Sequence, residues 1–343
     1  MEKEVFMQGR ARLIEQNGVL SPTVERPIPS PKAGEVTIKI HATSINYHDL
    51  IGIDGGLPGL PMPRVPFSDA SATIVATGDG VDDFAVGDRV VPAFYPDWPR
   101  GPITSGVMTP ILGDHVDGTL QTHLAISAKS IARAPAGLSH EEIATLGCAG
   151  LTAWRSLVVE ARVQPGQTIV LQGTGGVSLA ALAFGKMLGA RVIITSSSDE
   201  KLARAKALGA DVLINYRTTP NWHEAVLEAT NGVGADLIVE LGGGTTLGNS
   251  VRAVKTGGHI SVIGVLTGFE AASFPLAIVM RKNATVRGIT VGSVADLDAM
   301  CRAIEVNGYK PVIDSAYDLD SAHEAVAAMR EQAHFGKIVI RIA

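Results

Sequence analysis

The sequence is poor in cysteine, in charge and in aromatic residues. Its two cysteines, Cys148 and Cys301, exclude a disulfide scaffold and a four-cysteine zinc site by count alone. Charged residues make up 18% of the 343 positions, below the roughly 25% of an average soluble chain. The net charge of −5 excludes the basic footprint of a nucleic-acid binder. No run approaches the roughly 18 consecutive apolar residues of a membrane-spanning helix. The opening Met1-Glu2-Lys3-Glu4 lacks a basic segment followed by an apolar run, so no signal peptide is expected and the expected location is cytoplasmic. A hydrophobic share of 46% excludes a disordered chain and predicts a large buried core. At 343 residues, two domains are expected rather than one. Glycine is what the chain has in excess: 38 residues without a collagen-like period.

The first third reads as β-rich. Val36 to Ala42 alternates with period two, as do Ala72 to Gly78 and Asp88 to Pro92. Prolines and glycines crowd residues 52–66, and residues 93–118 form a second irregular stretch carrying Phe94, Tyr95 and Trp98. Long loops in compact domains are commonly functional or mobile. Ser139 and Glu142 have the spacing of a capping box for a helix through Ala144 to Leu146. From residue 168 strands and helices alternate: strand Thr168–Gln172, helix Ser178–Leu188, strand Arg191–Thr195, helix Asp199–Leu208, strand Val212–Asn215, strand Asp236–Glu240 and strand His259–Ile263. Glycines 189 and 209 close the two helices. That alternation predicts a doubly wound parallel sheet covered by helices on both faces.

Gly173-Thr174-Gly175-Gly176-Val177-Ser178 lies between such a strand and its helix. It fits G-x-G-x-x-G/A with serine in the third slot, in the strand–turn–helix context that gives the motif meaning. Gly173 makes the tight turn, Gly175 admits a pyrophosphate to the backbone, and the helix N-terminus offers N–H groups to the anion. An NAD-preferring site places an acid about 20 residues on. Here that position falls near Ser196, 23 residues after Gly173, in the run Ser196-Ser197-Ser198 with Lys201 nearby. Hydroxyls and a lysine suit a 2′-phosphate, so NADP(H) is expected. Tyr216 is placed to pack on the same phosphate. Gly242 follows another strand's carboxyl end, where backbone passes close to a cofactor.

With these residues in hand, the chain resembles the medium-chain dehydrogenase/reductase superfamily, most closely its zinc-free, quinone-oxidoreductase-like branch. The resemblance rests on Asn46-Tyr47-His48-Asp49-Leu50, Val86-Gly87-Asp88-Arg89-Val90, Cys148-Ala149-Gly150-Leu151-Thr152-Ala153-Trp154, the glycine loop, Leu266-Thr267-Gly268 and His334-Phe335-Gly336-Lys337-Ile338-Val339. It implies a GroES-like catalytic domain from residues 1–149 and 292–343, with a Rossmann domain of residues 150–291 inserted into it. It also implies an active site in the cleft between them and a homodimer joined through the last Rossmann strand, Ala284 to Val291. The family's alcohol dehydrogenases hold a catalytic zinc on Cys, His and Cys, at positions matching Asn46, Ser68 and Cys148. Two of the three ligands are missing, and Asp69 beside Ser68 does not restore the set. No zinc is therefore expected, and Cys148 reads as a small buried core residue.

A reductase without a metal depends on positioning and on hydrogen bonds to the oxygen that gains charge. An alkene conjugated to a carbonyl, or a quinone, suits that chemistry. Tyr47, through its phenol, and Asn46, through its amide, are the expected donors. Ser68, Phe94 and Trp98 are assigned to the substrate, although the aromatic residues equally suit a domain core. His48-Asp49 reads as a loop anchor rather than a proton relay. Thr152 reads as a partner of the nicotinamide carboxamide or a cap. Val265, Leu266, Thr267 and Val291 are assigned to the nicotinamide side, and Lys337 either lies near the cofactor or is a solvated surface lysine. The competing readings are an alcohol or carbonyl oxidoreductase on the same scaffold and a non-catalytic NADPH-binding protein.

Overall fold

The structure is a computed structural model that describes residues 7–342. Met1–Glu4, considered above as a possible leader, lie outside the described residues. Thr152–Val291 form one compact unit, and the described residues on either side of them form the other.

The flanking unit opens on four short strands, Gln8–Ala11, Ile14–Gln16, Val19–Leu20 and Val24–Pro27, before the long strand β1 (Glu35–Ser44), which is followed at once by helix α1 (Tyr47–Ile53). Strands β2 (Ser71–Thr77), β3 (Arg89–Pro92), β4 (His123–Ser127) and β5 (Ile131–Arg133) complete its amino-terminal part. The apolar alternation of β1 places Val36, Ile38 and Ile40 in a core shared with Ile74, Val90 and Leu120. The predicted capping box holds: the Ser139 hydroxyl accepts from Glu142 N, and the Glu142 carboxylate accepts from Ser139 N. Its helix is shorter than expected, His140–Ile143, and passes into a wide π-type turn over Leu146–Gly150 that carries Cys148.

The inserted unit follows the predicted alternation closely. Its elements are β6 (Thr168–Gln172), α2 (Gly176–Met187), β7 (Arg191–Ser196), α3 (Asp199–Ala207), β8 (Val212–Asn215), α4 (Trp222–Ala229), β9 (Ala235–Glu240), α5 (Leu247–Ala253), β10 (Val254–Val262), α6 (Leu276–Lys282) and β11 (Thr285–Gly288). The strands pair in parallel in the order β8-β7-β6-β9-β10-β11. The order reverses between β6 and β9, and ligands of open α/β sheets bind beyond the strand ends at such a switch point. Val170, Ile193, Ile238 and Ile260 are fully buried, as continuous apolar strands of a sheet covered on both faces require. The last strand, Thr285–Gly288, is shorter than Ala284 to Val291, and Val291 lies beyond it with φ +46°.

The chain then returns to the flanking unit. Helix α7 (Val294–Asn307) starts with a second capping box, Ser293 with Asp296, and stops at Gly308 in the left-handed region. Strand β12 (Ile313–Asp318), helix α8 (Ala322–Glu331) and strand β13 (Lys337–Arg341) follow. Strand β13 pairs antiparallel with β1, so the sheet runs β12-β13-β1-β2-β3-β5, with β4 also on β1. That pairing brings Lys337 next to the end of β1 and the start of α1, although 291 positions separate Lys337 from Asn46. Among the described residues no helix is long and apolar enough to cross a membrane.

Candidate active site

The turn from β1 into α1 organises the first part of the site. Asn46 is the cap residue of α1, and the buried Asp49 carboxylate accepts from Asn46 N at 2.7 Å. Asp49 faces away from water, and burial together with the neighbouring Asp69 pushes its carboxyl up to about 7, against the pull of His48. Asp69, fully buried after the loop from Phe67, reaches the same turn. One of its carboxylate oxygens, Oδ2, accepts from Ser44 Oγ at 2.7 Å and Asn46 Nδ2 at 2.9 Å. The other, Oδ1, is buried without a hydrogen-bond partner among the described residues. Gly147 makes that approach possible, since a Cβ there would sit 2.8 Å from Asp69 Oδ1.

Lys337 completes the cluster. Its side chain is buried, and Nζ donates to Asn46 Oδ1 at 2.5 Å and to Ile45 O at 2.8 Å, with Asp69 Oδ2 at 3.3 Å. Lys337 is thus not a solvated surface residue: its amine is committed to the residues at the start of α1. Asn46 is correspondingly engaged at both ends of its amide.

This is the place where the family's zinc would bind, and the residues do not fit that ion. A zinc site needs about four lone-pair donors converging on one point. Here the Asn46 and Asp69 oxygens face an ammonium group that has none to give. Cys148, partly buried, is the single remaining residue of the three positions, since Asn46 and Ser68 stand at the other two. Ser68 is fully buried and its hydroxyl is turned toward Asp49 Oδ1 at 3.4 Å. No group of three or more His, Cys, Asp or Glu side chains able to hold a metal occurs among the described residues.

The other predicted residues of this unit separate into two groups. Tyr47 opens α1, is half-buried against the core, and has no hydrogen bond to its phenol among the described residues. His48, one residue on, is partly exposed, and its Nε2 lies 2.6 Å from Asp114 Oδ2. Of the two readings open for Phe94, Tyr95 and Trp98, the structure favours core packing. They are buried and pack edge-on against one another, and Trp98 Nε1 donates to Gly101 O at 3.0 Å. Apolar rings in a loop drive that loop onto its own domain unless a ligand covers them. Phe94 still meets the site, standing edge-on to His48 with ring centres 5.1 Å apart.

In the inserted unit the cofactor residues gather at the carboxyl ends of the strands. Gly173 adopts φ +73°, a conformation that admits glycine at no cost. The helix α2 opens directly after Gly175, and Ser178 Oγ donates to Gln172 O at 2.6 Å, which locks the first helical turn onto the strand. Thr174 is buried, and Gly173, Gly175, Gly176 and Val177 are each partly exposed. Ser196 ends β7, Ser197 follows it, and Ser198 caps α3 by accepting from Lys201 N. Tyr216 is exposed next to them, with its N–H on Ser196 O. Thr152 is buried near the unit's first residues, and Val291 is buried at its last. Val265 is half-buried, while Leu266 and Thr267 are exposed.

A buried carboxylate that the sequence reading did not single out holds these loops together. Glu240, at the end of β9, is fully buried. Its Oε1 accepts from Gly242 N and Gly243 N, both at 2.9 Å, and from Thr246 Oγ1 at 2.5 Å. Its Oε2 accepts from Gln172 Nε2 at 2.7 Å and from Ser250 Oγ. Gln172 precedes the glycine loop, and its Oε1 accepts from Leu241 N and Gly242 N. The Gly242 loop is then joined to residues 264–268 through Thr267 N to Gly242 O and Gly244 N to Gly268 O. Gly264 is required there, since a Cβ would stand 2.1 Å from Leu241 O. The signal in the sequence is a glutamate directly after the apolar run Leu237–Val239. Free helix N–H groups, a glycine turn and fixed backbone at the sheet's switch point fit a dinucleotide.

The comparisons with known proteins agree with this geometry. Residues 32–136 match the alcohol dehydrogenase GroES-like domain, and residues 176–306 match the zinc-binding dehydrogenase family. A zinc-type alcohol dehydrogenase-like protein of Schizosaccharomyces pombe is 42% identical over 316 residues, covering 90% of this chain and 91% of the relative. A solved structure from Sinorhizobium meliloti 1021, described as an alcohol dehydrogenase, is 40% identical, with a TM-score of 0.92 over 100% of both chains. A solved NAD-dependent alcohol dehydrogenase is 32% identical, with a TM-score of 0.88 over 97% of this chain and 100% of that one. The two units, their glycine loops and these relatives together make the chain an α/β member of the medium-chain dehydrogenase/reductase superfamily, with a GroES-like domain and a doubly wound parallel sheet.

Proposed function

We propose that this oxidoreductase uses NADPH, without a metal, to reduce an alkene conjugated to a carbonyl, or a quinone. The observation that carries the reading is the buried Lys337 ammonium, bonded to Asn46 and Asp69 where a metal-dependent relative places its ion. An alcohol dehydrogenase relies on a metal to polarise a simple carbonyl. A conjugated acceptor needs less, because the charge it gains is delocalised and ordinary donors hold it.

NADPH, when bound, supplies a hydride. Gly173, Thr174, Gly175, Gly176, Val177 and Ser178 would hold its pyrophosphate at the start of α2. Ser196, Ser197, Lys201 and Tyr216 would take the 2′-phosphate. The nearest acid, Asp199, supports that choice, because Asn215 Nδ2 occupies its Oδ1 at 2.7 Å. Gly242, Val265, Leu266, Thr267, Val291 and Thr152 remain assigned to the nicotinamide half. Tyr47 keeps the role of hydrogen-bond donor to the substrate oxygen. Asn46, spent on Lys337 and Asp69, becomes the residue that positions the turn carrying Tyr47.

We place the enzyme in the cytoplasm as a homodimer. The pairing edge would be β11, the free edge of its sheet, beside the exposed Phe269, Leu276 and Met280. A second reading, an alcohol or carbonyl oxidoreductase, draws support from the names of the relatives.

Two experiments test the proposal. Purified protein is assayed for NADPH oxidation with an enone, a quinone and a simple ketone. Turnover confined to the ketone favours the second reading. Ser196→Asp places a carboxylate at the ribose and is expected to lower kcat/KM for NADPH by about tenfold or more, equivalent to roughly 1.4 kcal/mol, while sparing NADH. An unchanged ratio of the two cofactors would remove Ser196 from the pocket.

A further inference from the structure

The sequence favours a structural role for His48-Asp49 over a proton relay. The structure gives His48 a distant partner. Its Nε2 meets Asp114, which lies 66 positions away in the irregular segment after β3, at 2.6 Å. The Asp114 side chain is almost fully buried, whereas the His48 side chain is 29% exposed. The ring is therefore held from behind and open in front. Its other nitrogen, Nδ1, has no partner among the described residues. Tyr47 precedes it on the same helix, and the edge of Phe94 fixes the ring plane.

We propose that the His48–Asp114 pair is the proton donor of the reaction, with Nδ1 as the donating atom and Asp114 as the residue that orients the ring. The proposal rests on the reductase reading above. With an enone as acceptor, the substrate gains a hydride and its two electrons at the β carbon. The π pair of the C=C bond then shifts toward the carbonyl to give an enolate. His48 Nδ1–H delivers a proton to the enolate α carbon, the imidazole becomes neutral, and solvent restores its proton. The sum is NADPH, a proton and the enone giving NADP⁺ and the saturated ketone.

The charges around the ring suit an acid. Burial alone would lower the imidazole, but the Asp114 hydrogen bond and charge, with Asp49 on the same helix, raise it above the ordinary 6.5. Arg64 faces Asp114 rather than His48 and is itself spent on the carbonyls of Gly52 and Gly113. The donor form is thus kept to higher pH than in a free imidazole and is lost as pH rises through that raised value.

His48→Gln retains an N–H toward Asp114 and removes the proton source. Its kcat with an enone is expected to fall by about 100-fold, with NADPH affinity unchanged and without the wild-type decline in kcat above neutrality. A second readout does not depend on rate. With an α-methyl enone in D₂O, the wild type gives one configuration at the α carbon, and His48→Gln gives both. In the cofactor-free protein, NMR titration of the His48 ring is expected to move to lower pH in Asp114→Asn. Unchanged kcat, an unchanged pH profile and a single configuration in His48→Gln would overturn the proposal while leaving the reductase reading intact. An unshifted titration in Asp114→Asn would overturn the pairing. A wild type that leaves NADPH unoxidised with both an enone and a quinone defeats the reductase reading, and this proposal with it.

Discussion

Lys337→Met is expected to destabilise the flanking unit by about 3–5 kcal/mol, because it leaves the Asp69 carboxylate buried without its cation. Asp69 is fully buried and Lys337 is 5% exposed, so water cannot replace the lost partner. One Asp69 oxygen already lacks a partner, which leaves the carboxylate dependent on Ser44, Asn46 and Lys337 at the other. The loss corresponds to a fall of about 10 °C in the melting temperature of a unit of this size. The double variant Lys337→Met, Asp69→Asn removes both charges and is expected to recover most of that loss. Calorimetry on the three proteins checks this. A single variant as stable as the wild type would mean that the ammonium is not holding the turn.

The second large effect is expected in the inserted unit. Glu240→Gln keeps the shape of the side chain but turns an amide NH₂ toward one set of donors. The carboxylate accepts from two backbone N–H groups, two hydroxyls and the Gln172 amide, so at least one of them loses its acceptor. Leaving a buried donor unsatisfied costs about 1–3 kcal/mol. The loops it fixes, before the glycine turn and after β9, are those proposed to receive the cofactor. KM for NADPH is therefore expected to rise by about tenfold, with kcat at saturating NADPH largely kept. Steady-state kinetics beside thermal denaturation separates the possibilities. A lower melting temperature with unchanged KM would make Glu240 a stabilising residue only.

These two clusters also mark where sequence reasoning stopped. The parallel sheet was legible because β6 and β9 are short, mainly apolar runs followed within two residues by glycine, β7 carries the apolar run Val192–Ile194, and each signal is local. The glycine loop was legible for the same reason. The partnership of Lys337 with Asn46 and Asp69 was not, because β13 meets β1 only through pairing across nearly the whole chain. The structural role read for Asp49 is visible as its carboxylate accepting from Asn46 N, whereas the partner of His48 was not legible. That partner comes from an irregular segment whose path no periodicity encodes. Phe94 and Trp98 were visible as aromatic residues in a loop, but composition does not say whether such a loop folds inward. Glu240 read as the end of a strand, and its role appears only once the sheet order places it beside Gln172.

Lys337 and Asn46 occupying the place of a metal is the central feature of the proposed chemistry. It is tested most directly by NADPH oxidation with an enone, using protein dialysed against a chelator and analysed for metal. Full turnover at substoichiometric zinc, unchanged on adding zinc, is the predicted result. An enzyme that is inactive after chelation and recovers with stoichiometric zinc, most of all on a simple ketone, would contradict it.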